Sequence, residues 1–381
     1  MKYLAILIIL LLKSSCKKED AQEAIEVKET IIFDVGFNPN FNFVGTFFDK
    51  ISHEEVIYFA EPVTNKQIKF FNIKGKLLDS INLENLSKMM PTINSLKVIS
   101  RDTLLFFNYG EIVVVNKKGA VLKKIDLNKV ISKDSSNDVF EISNDFGSNK
   151  DCNGQNIILG INWSSNKIDN KKLSYKDFFI KNFNKPSIIR LDNYLTDSIT
   201  YKFSLQNHYK SWYKEPKIFS EGFNYRQING QLFIFSFFSN EILIFDIEKL
   251  KVIRKIPVKS NNTSIGIKPL DVNVNEFSGE NVIKKAKAAG GITDIFYLSN
   301  KHQYYIIVRH ELDEDYAENE KDRPFSIIKY DELFNIVNEF VMTNKNVEFF
   351  DYYCVIETKN GFMKLNKKHT NEKSLSFSFI E

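Results

Sequence analysis

Five histidines, at positions 53, 208, 302, 310 and 369, are the chain's natural acid–base groups, because an imidazole near neutral pH can exchange a proton or bind a metal. They are dispersed. No HExxH spacing or paired-cysteine run accompanies them, so zinc chemistry has no signature here. A nucleophilic enzyme would carry its serine or cysteine on an activating turn, and no GxSxG run is present. His302 and His310 flank one strand-like run, where a lone histidine is ordinarily hydrogen-bonded or exposed rather than a ligand. Neither a metal nor a cofactor is expected.

Binding chemistry has better candidates. Residues 207–213, NHYKSWY, crowd His208, Tyr209, Trp212 and Tyr213 into one stretch. Aromatic side chains in a loop can form a platform for a sugar or peptide, and they can equally plug a groove. Trp163 ends a strand-like run, while Arg226, Arg309 and His310 add charge and hydrogen-bonding capacity. Residues 311–320, ELDEDYAENE, are the sharpest charge cluster. They lack the glycine and terminal-glutamate spacing of an EF-hand loop, and a solvated loop is the simpler reading. Residues 151–154, DCNG, read as a turn, and 281–289, NVIKKAKAA, as a short helix ended by Gly290 and Gly291.

These side chains need a scaffold, and the scaffold is repetitive. In residues 111–127, EIVVVNKKGAVLKKIDL, two strand-like runs flank a loop with glycine where positive φ is most needed. The same hairpin recurs at 67–83 and 241–258, with a degenerate version at 325–342. Recurrence of one supersecondary unit at intervals of tens of residues predicts a repeat architecture. The runs fall into six groups of four: 43–83, 95–127, 139–204, 223–258, 291–342 and 347–380. The third is the loosest. In the sixth the runs are 347–350, 352–358, 361–366 and 374–380, while 30–35 is a first strand of uncertain partner: it could join the sixth group and tie the ends together, yet that group already has four runs. Groups too small to bury both faces alone are satisfied by stacking around an axis, so the expected fold is all-β, a six-bladed β-propeller of four-stranded antiparallel blades. Two stacked sandwiches compete, but they do not require one hairpin type throughout.

Composition agrees. Hydrophobic residues make up 43% and charged residues 26%, an ordinary globular balance, and 34 Phe with 16 Tyr favour strands with large buried side chains. The net charge of +4 is scattered over 381 residues, which leaves no nucleic-acid footprint.

The N-terminus reads as an address. Lys2 precedes an apolar run from Tyr3 to Leu12, too short to span a bilayer comfortably, then Ser14 and Ser15 stand before Cys16. Residues 1–15 are expected to be a lipoprotein signal peptide with lipidation at Cys16, although Lys13 stands where that motif usually has leucine. Residues 16–28 would then be a lipid-anchored flexible tether, and 29–381 the propeller domain. Cys152 and Cys354 remain, either paired or separately buried.

Residues 226–235 (RQINGQLFIF), 295–297 (IFY), 304–310 (YYIIVRH) and 325–331 (FSIIKYD) resemble the uncharacterised TolB-like six-bladed propeller lipoproteins of Bacteroidota. The start of the tether, CKKED, is similar to the signal that sends many such lipoproteins to the outer leaflet of the outer membrane. The resemblance implies an exported, lipid-anchored propeller at the cell envelope and brings no catalytic residues.

Two functions from different classes follow. One is a non-catalytic propeller that holds a peptide, glycan or envelope-protein partner. The other is a propeller hydrolase or lyase acting on an exported polymer, with His208, Arg226 and His310 converging on the mouth of the central channel. In blades named A to D outward from the axis, A–B and C–D turns lie on one face, and B–C loops with D–A crossings on the other. The long insertions, 164–185, 205–222, 259–290 and 311–324, all belong to the second set. Binding residues concentrate on such loops, so Trp163, His208, Trp212, Tyr213 and the acidic loop, with Arg226 and Arg309, are expected to build the ligand surface.

Overall fold

Tight turns organise the chain before any long-range contact does. In four hairpins an Asn or Asp opens the turn and its side chain accepts two backbone N–H groups ahead of it. Asn72 Oδ1 takes those of Lys74 and Lys76, both at 3.0 Å, and Asn116 Oδ1 those of Lys118 and Ala120, at 2.9 and 3.0 Å. Asp331 Oδ1 takes those of Leu333 and Asn335, at 2.9 and 2.8 Å, and Asp246 Oδ1 those of Glu248 and Lys249, at 3.0 and 2.8 Å. Each turn then needs one left-handed residue: Gly75, Gly119, Leu250 and Phe334, with φ of 82°, 73°, 52° and 65°. Glycine fills that place in only two of the four. The shared device is the side-chain acceptor, which the glycine-centred reading of the hairpin overlooked.

The structure, a computed structural model, describes residues 27–40, 43–108, 110–127, 129, 139–142, 149–150, 157–164, 188–192, 198–203, 223–236, 239–266, 284–285, 287–313, 323–342, 355–358, 361–365 and 373–380. The chain opens with β1 (Val27–Asp34). A sheet follows of β2 (Val44–Asp49), β3 (Glu54–Glu61), β4 (Gln67–Asn72) and β5 (Leu77–Asn82), paired in that order. Helix α1 (Glu84–Met89) leads to a second sheet of β6 (Ser95–Ser100), β7 (Thr103–Phe107), β8 (Glu111–Asn116) and β9 (Val121–Asp126). The next contains β10 (Val139–Ile142), β11 (Asn149–Lys150), β12 (Ile157–Ser164), β13 (Ile188–Asp192) and β14 (Ser198–Phe203). Here β10 and the two-residue β11 both pair with β12, so the expected four-stranded group has a fifth, short strand among the described residues.

Two regular sheets follow: β15 (Asn224–Ile228), β16 (Gln231–Phe235), β17 (Glu241–Asp246), β18 (Lys251–Pro257), and β19 (Gly291–Leu298), β20 (Gln303–Arg309), β21 (Phe325–Tyr330), β22 (Ile336–Met342). The last sheet is β23 (Val355–Thr358), β24 (Gly361–Leu365), β25 (Ser374–Ile380) and, fourth, β1. The strand of uncertain partner is therefore the outermost strand of the last sheet, one of the placements that the sequence left open. Residues 347–350, assigned to that sheet from sequence, lie outside the described residues. Periodicity alone cannot join strands some 350 residues apart, whereas the antiparallel register Val27↔Ile380 to Asp34↔Ser374 does.

The sheets are arranged as in a propeller. The first strands of neighbouring sheets touch, β2 with β6 and with β23, and β15 with β19. The middle strands β7, β8, β16 and β17 are buried almost throughout, and the last strands β5, β9, β18 and β22 are mostly exposed or half-buried. A middle strand is covered on both faces, which is why it reads as a near-continuous apolar run. β3 shows the consequence: Val56, Tyr58 and Ala60 pack into one cluster with the second sheet, while Ile57 and Phe59 pack into another with the last sheet. The period of 2 thus serves two interfaces at once. Phe33 of β1 seals the join, its ring 5.2 Å from Phe59, 5.6 Å from Phe71 and 5.7 Å from Phe377. A fully buried Phe contributes roughly 1.5–3 kcal/mol, so one residue ties the N-terminal strand to two sheets.

Candidate binding face

Innermost strands line the centre of the arrangement, and there Arg226 of β15 meets Asp294 of β19. The guanidinium donates from Nε to Oδ1 and from Nη2 to Oδ2, both at 2.7 Å, a bidentate fork across two sheets. Arg226 also lies over the ring of Phe296, 5.5 Å from its centroid. Asp294 takes a further bond from the N–H of Ile295 at 2.8 Å. A parallel arrangement joins the first two sheets, where Arg101, just after β6, pairs with Asp49 at the end of β2. The Asp49 carboxyl titrates below the usual range: burial opposes this, but the Ile51 N–H, the Ser52 hydroxyl and Arg101 together outweigh it. Sequence reading singled out Arg226 and missed Asp294, because nothing local marks residues 68 apart as partners.

The pair yields a prediction. Replacing Arg226 by leucine leaves a largely buried carboxylate without its fork, and the side chains' partial exposure, 36% and 12%, holds the cost to about 2 kcal/mol. The Arg226→Leu/Asp294→Leu double variant should recover part of that in urea unfolding. Additive losses would show the two residues to be energetically independent.

At the opposite end of β19 from its hairpin turn, two of the long insertions are knit together. Arg323 donates from Nε to the carbonyl of His310 (2.7 Å), from Nη1 to that of Lys287 (2.5 Å), and from Nη2 to those of Ala288 (2.8 Å) and Ala289 (2.6 Å). Its fork caps the end of a helical turn in which Ala289 N–H bonds to the Lys285 carbonyl, the place where a cation is favoured. The helix expected at 281–289 is therefore present in its described part, ending at Gly290. Leu312 N–H reaches the Ala288 carbonyl at 2.8 Å, Glu311 N–H the Thr263 hydroxyl at 2.7 Å, and Gly266 N–H the Gly290 carbonyl at 3.1 Å. A side chain at Gly290 would put its Cβ 2.1 Å from the Ser264 carbonyl oxygen, so the close approach requires glycine.

His310 sits beneath this knot. It is buried, and its Nε2 lies 2.8 Å from Ser326 Oγ. Burial lowers its pKa and Arg323 adds to the effect, against the opposing charge of Glu339. Both effects favour the neutral imidazole. Glu339 accepts from the Ser260 hydroxyl (2.5 Å) and the Asn261 N–H (2.8 Å), tying the start of the 259–290 crossing to β22. Serine, histidine and glutamate are therefore neighbours, but Ser326 is fully buried. The geometry is that of a structural polar network, with His310 packed inside it.

The remaining nominated residues divide. Arg309 ends β20, paired with Gly291 and Phe325 and half-buried. Trp163 lies within β12, in register with Phe140 of β10. Cys16, Cys152, His208, Trp212, Tyr213, Cys354, His369 and most of the acidic run lie outside the described residues. His302 is exposed and pairs with Glu332 at 2.7 Å, among the hairpin turns rather than the insertions. Among the described residues no cluster of three or more His, Cys, Asp or Glu side chains could hold a metal, and no helix is long and apolar enough to cross a membrane.

No protein-family model matches the chain, and no curated protein does. Solved structures share its fold. A member of the DUF4221 family from Bacteroides vulgatus is similar with a TM-score of 0.68 and 16% identity, over 93% of this chain and 97% of that one. A Bacteroides fragilis protein named "Putative exported protein" is similar with a TM-score of 0.51 and 11% identity, over 96% and 97%. The Cps50 (Swd1) β-propeller domain of Myceliophteria thermophila aligns over 93% and 100% with a TM-score of 0.40 and 9% identity, a likeness too slight to argue from. The first two establish a shared fold with Bacteroides proteins, and the sheet order described above makes that fold propeller-like.

Proposed function

We propose that this chain is a cell-envelope lipoprotein, anchored through Cys16, whose six-bladed β-propeller binds a peptide, glycan or protein partner on the face that carries its long insertions, without catalysing a reaction. The observation that carries the reading is the Arg323 knot: it makes the ends of two insertions, 259–290 and 311–324, into one continuous surface on a rigid scaffold. The TolB-like character, the outer-membrane address and the closed ring of six belong to this proposal. In support stand the sequence resemblance, the six described sheets, and the name of the B. fragilis neighbour, which calls that protein exported. The aromatic stretch at 207–213 lies in a third insertion of the same set, and His208, Trp212 and Tyr213 are its proposed contact residues, with Trp163 and Arg309 at the margins. Arg226 and His310, which a hydrolase or lyase would need free at the channel mouth, are directed to Asp294 and Ser326 instead.

The test is a glycan and peptide array probed with residues 27–381, so that β1 is kept whole. For any ligand found, Trp212→Ala should weaken binding roughly tenfold or more with the melting temperature unchanged, as loss of an aromatic anchor does. Lys74→Ala and Lys118→Ala, on the opposite turns, should be silent. Loss of binding in the lysine variants alone would move the site to the turn face and defeat the proposal.

A further inference from the structure

We infer that the anchored domain stands with its hairpin-turn face toward the lipid surface and its insertion face turned away from it. This rests on the lipoprotein reading above and adds an orientation to it. The observation is the polarity of β1. Its first residue, Val27, pairs with Ile380, the end of β25, so it occupies the position that a turn between third and fourth strands occupies in the other sheets. Its last residue, Asp34, pairs with Ser374, after which Gly36 N–H bonds to Lys373 and Asn40 N–H to Ala60, and the chain enters β2 from the insertion side. The chain therefore arrives from the membrane at the turn side and crosses to the other through β1.

The tether is short. Ten residues separate Cys16 from Val27, so eleven Cα–Cα steps give a reach of roughly 40 Å at full extension. To lay the insertion face on the bilayer it would have to double back along the sheet. The turns of the first two sheets also suit a lipid surface. Lys50, Lys74, Lys76, Lys117 and Lys118 are exposed there, against Glu54 and an Asp102 already paired with Lys117 at 3.0 Å. Ile51, 81% exposed, and Ile73, 37% exposed, stand next to Lys50 and Lys74 at the turn tips. Lysines attract anionic headgroups, and apolar tips between them favour the interface over water. The turn with Gly75 leans directly on β1, its glycine so close that a Cβ would stand 2.3 Å from the Ile32 carbonyl oxygen, so Lys74 and Lys76 lie beside the strand on which the tether enters.

The experiment uses the full-length protein, purified lipidated from cells and reconstituted in phosphatidylethanolamine–phosphatidylglycerol vesicles containing an acceptor-labelled lipid. With Cys152→Ser and Cys354→Ser as background, a donor dye is placed by Lys74→Cys or by Asn65→Cys. These sites stand at the two ends of β4, about 20 Å apart along the strand, so they share one sheet and one tether. Stronger donor quenching at Lys74→Cys than at Asn65→Cys is expected. Equal quenching, or the reverse order, with the protein still floating with the vesicles, overturns the orientation while leaving the anchor intact. Failure of the parent protein to float, or flotation undiminished by Cys16→Ala, overturns the anchor and the orientation together.

Discussion

Gly119→Ala is expected to destabilise the domain by about 3 kcal/mol, the sum of a left-handed alanine and a steric overlap with no soft partner. Gly119 has φ of 73°, and a Cβ there would stand 2.0 Å from the carbonyl oxygen of Asn82 at the end of β5. That atom is backbone in the neighbouring sheet. Gly75 repeats the arrangement against Ile32 of β1, so the hairpin turn of one sheet rests on the outermost strand of the sheet before it. In the fifth sheet the contact is made differently: Phe334 takes the glycine's place at φ 65°, and Arg254 of β18 lies 5.0 Å over its ring and donates to the Leu333 carbonyl at 2.8 Å. The control is Gly230→Ala. Gly230 has φ of 74° but nothing within 4 Å of a new Cβ, so that change should cost only about 1 kcal/mol of backbone strain. Urea midpoints for the two variants measure the difference. Equal losses would mean that the turns do not dock the sheets.

The second large effect is expected at Arg323. Its removal takes the charged donor from the carbonyls of Lys287, Ala288 and Ala289 at the end of a helical turn, where Ala288 and Ala289 are buried and Ala288 keeps the Leu312 N–H, and a cost of about 3 kcal/mol follows from buried acceptors losing a charged donor. Arg323→Ala should abolish the slow hydrogen exchange of the Leu312 and Gly266 amides, which bond to Ala288 and Gly290, while β7 and β16 amides stay protected. Arg323→Lys should not restore it, because an ammonium has three donors on one atom and cannot address four carbonyls as the guanidinium fork does. Protection unchanged in Arg323→Ala would show that the insertions hold together without the arginine, and would remove the main support for a continuous binding face.

Legibility in the sequence followed the range of the interaction. The strands of the first, second, fourth and fifth sheets could be placed to within three residues, because strand alternation and turn chemistry are local and Asn72, Asn116, Asp246 and Asp331 announce their turns within five residues. Glycine marks the left-handed position in only two of the four turns, and Leu250 and Phe334 take it in the others. The side-chain acceptor at the first turn position was visible and would have been the better signal. The third sheet was harder, since its first strand is split between β10 and β11 and neither piece is long enough to show a period.

What the sequence by itself determined is the class of the fold and the sidedness of its insertions: short-period apolar runs can be satisfied only by sheets, and loop lengths are counted along the chain. Tertiary structure alone decided the rest. It paired β1 with β25, because hydrogen-bond register between the two ends of a chain leaves no local mark. It turned Arg226 toward Asp294 and His310 toward Ser326, giving both nominated residues partners from other strands. It also made Arg323, which no motif singles out, the side chain that joins two of the insertions. A side chain's chemistry belongs to its residue type, but its partner is set by which strands the stacked sheets bring together.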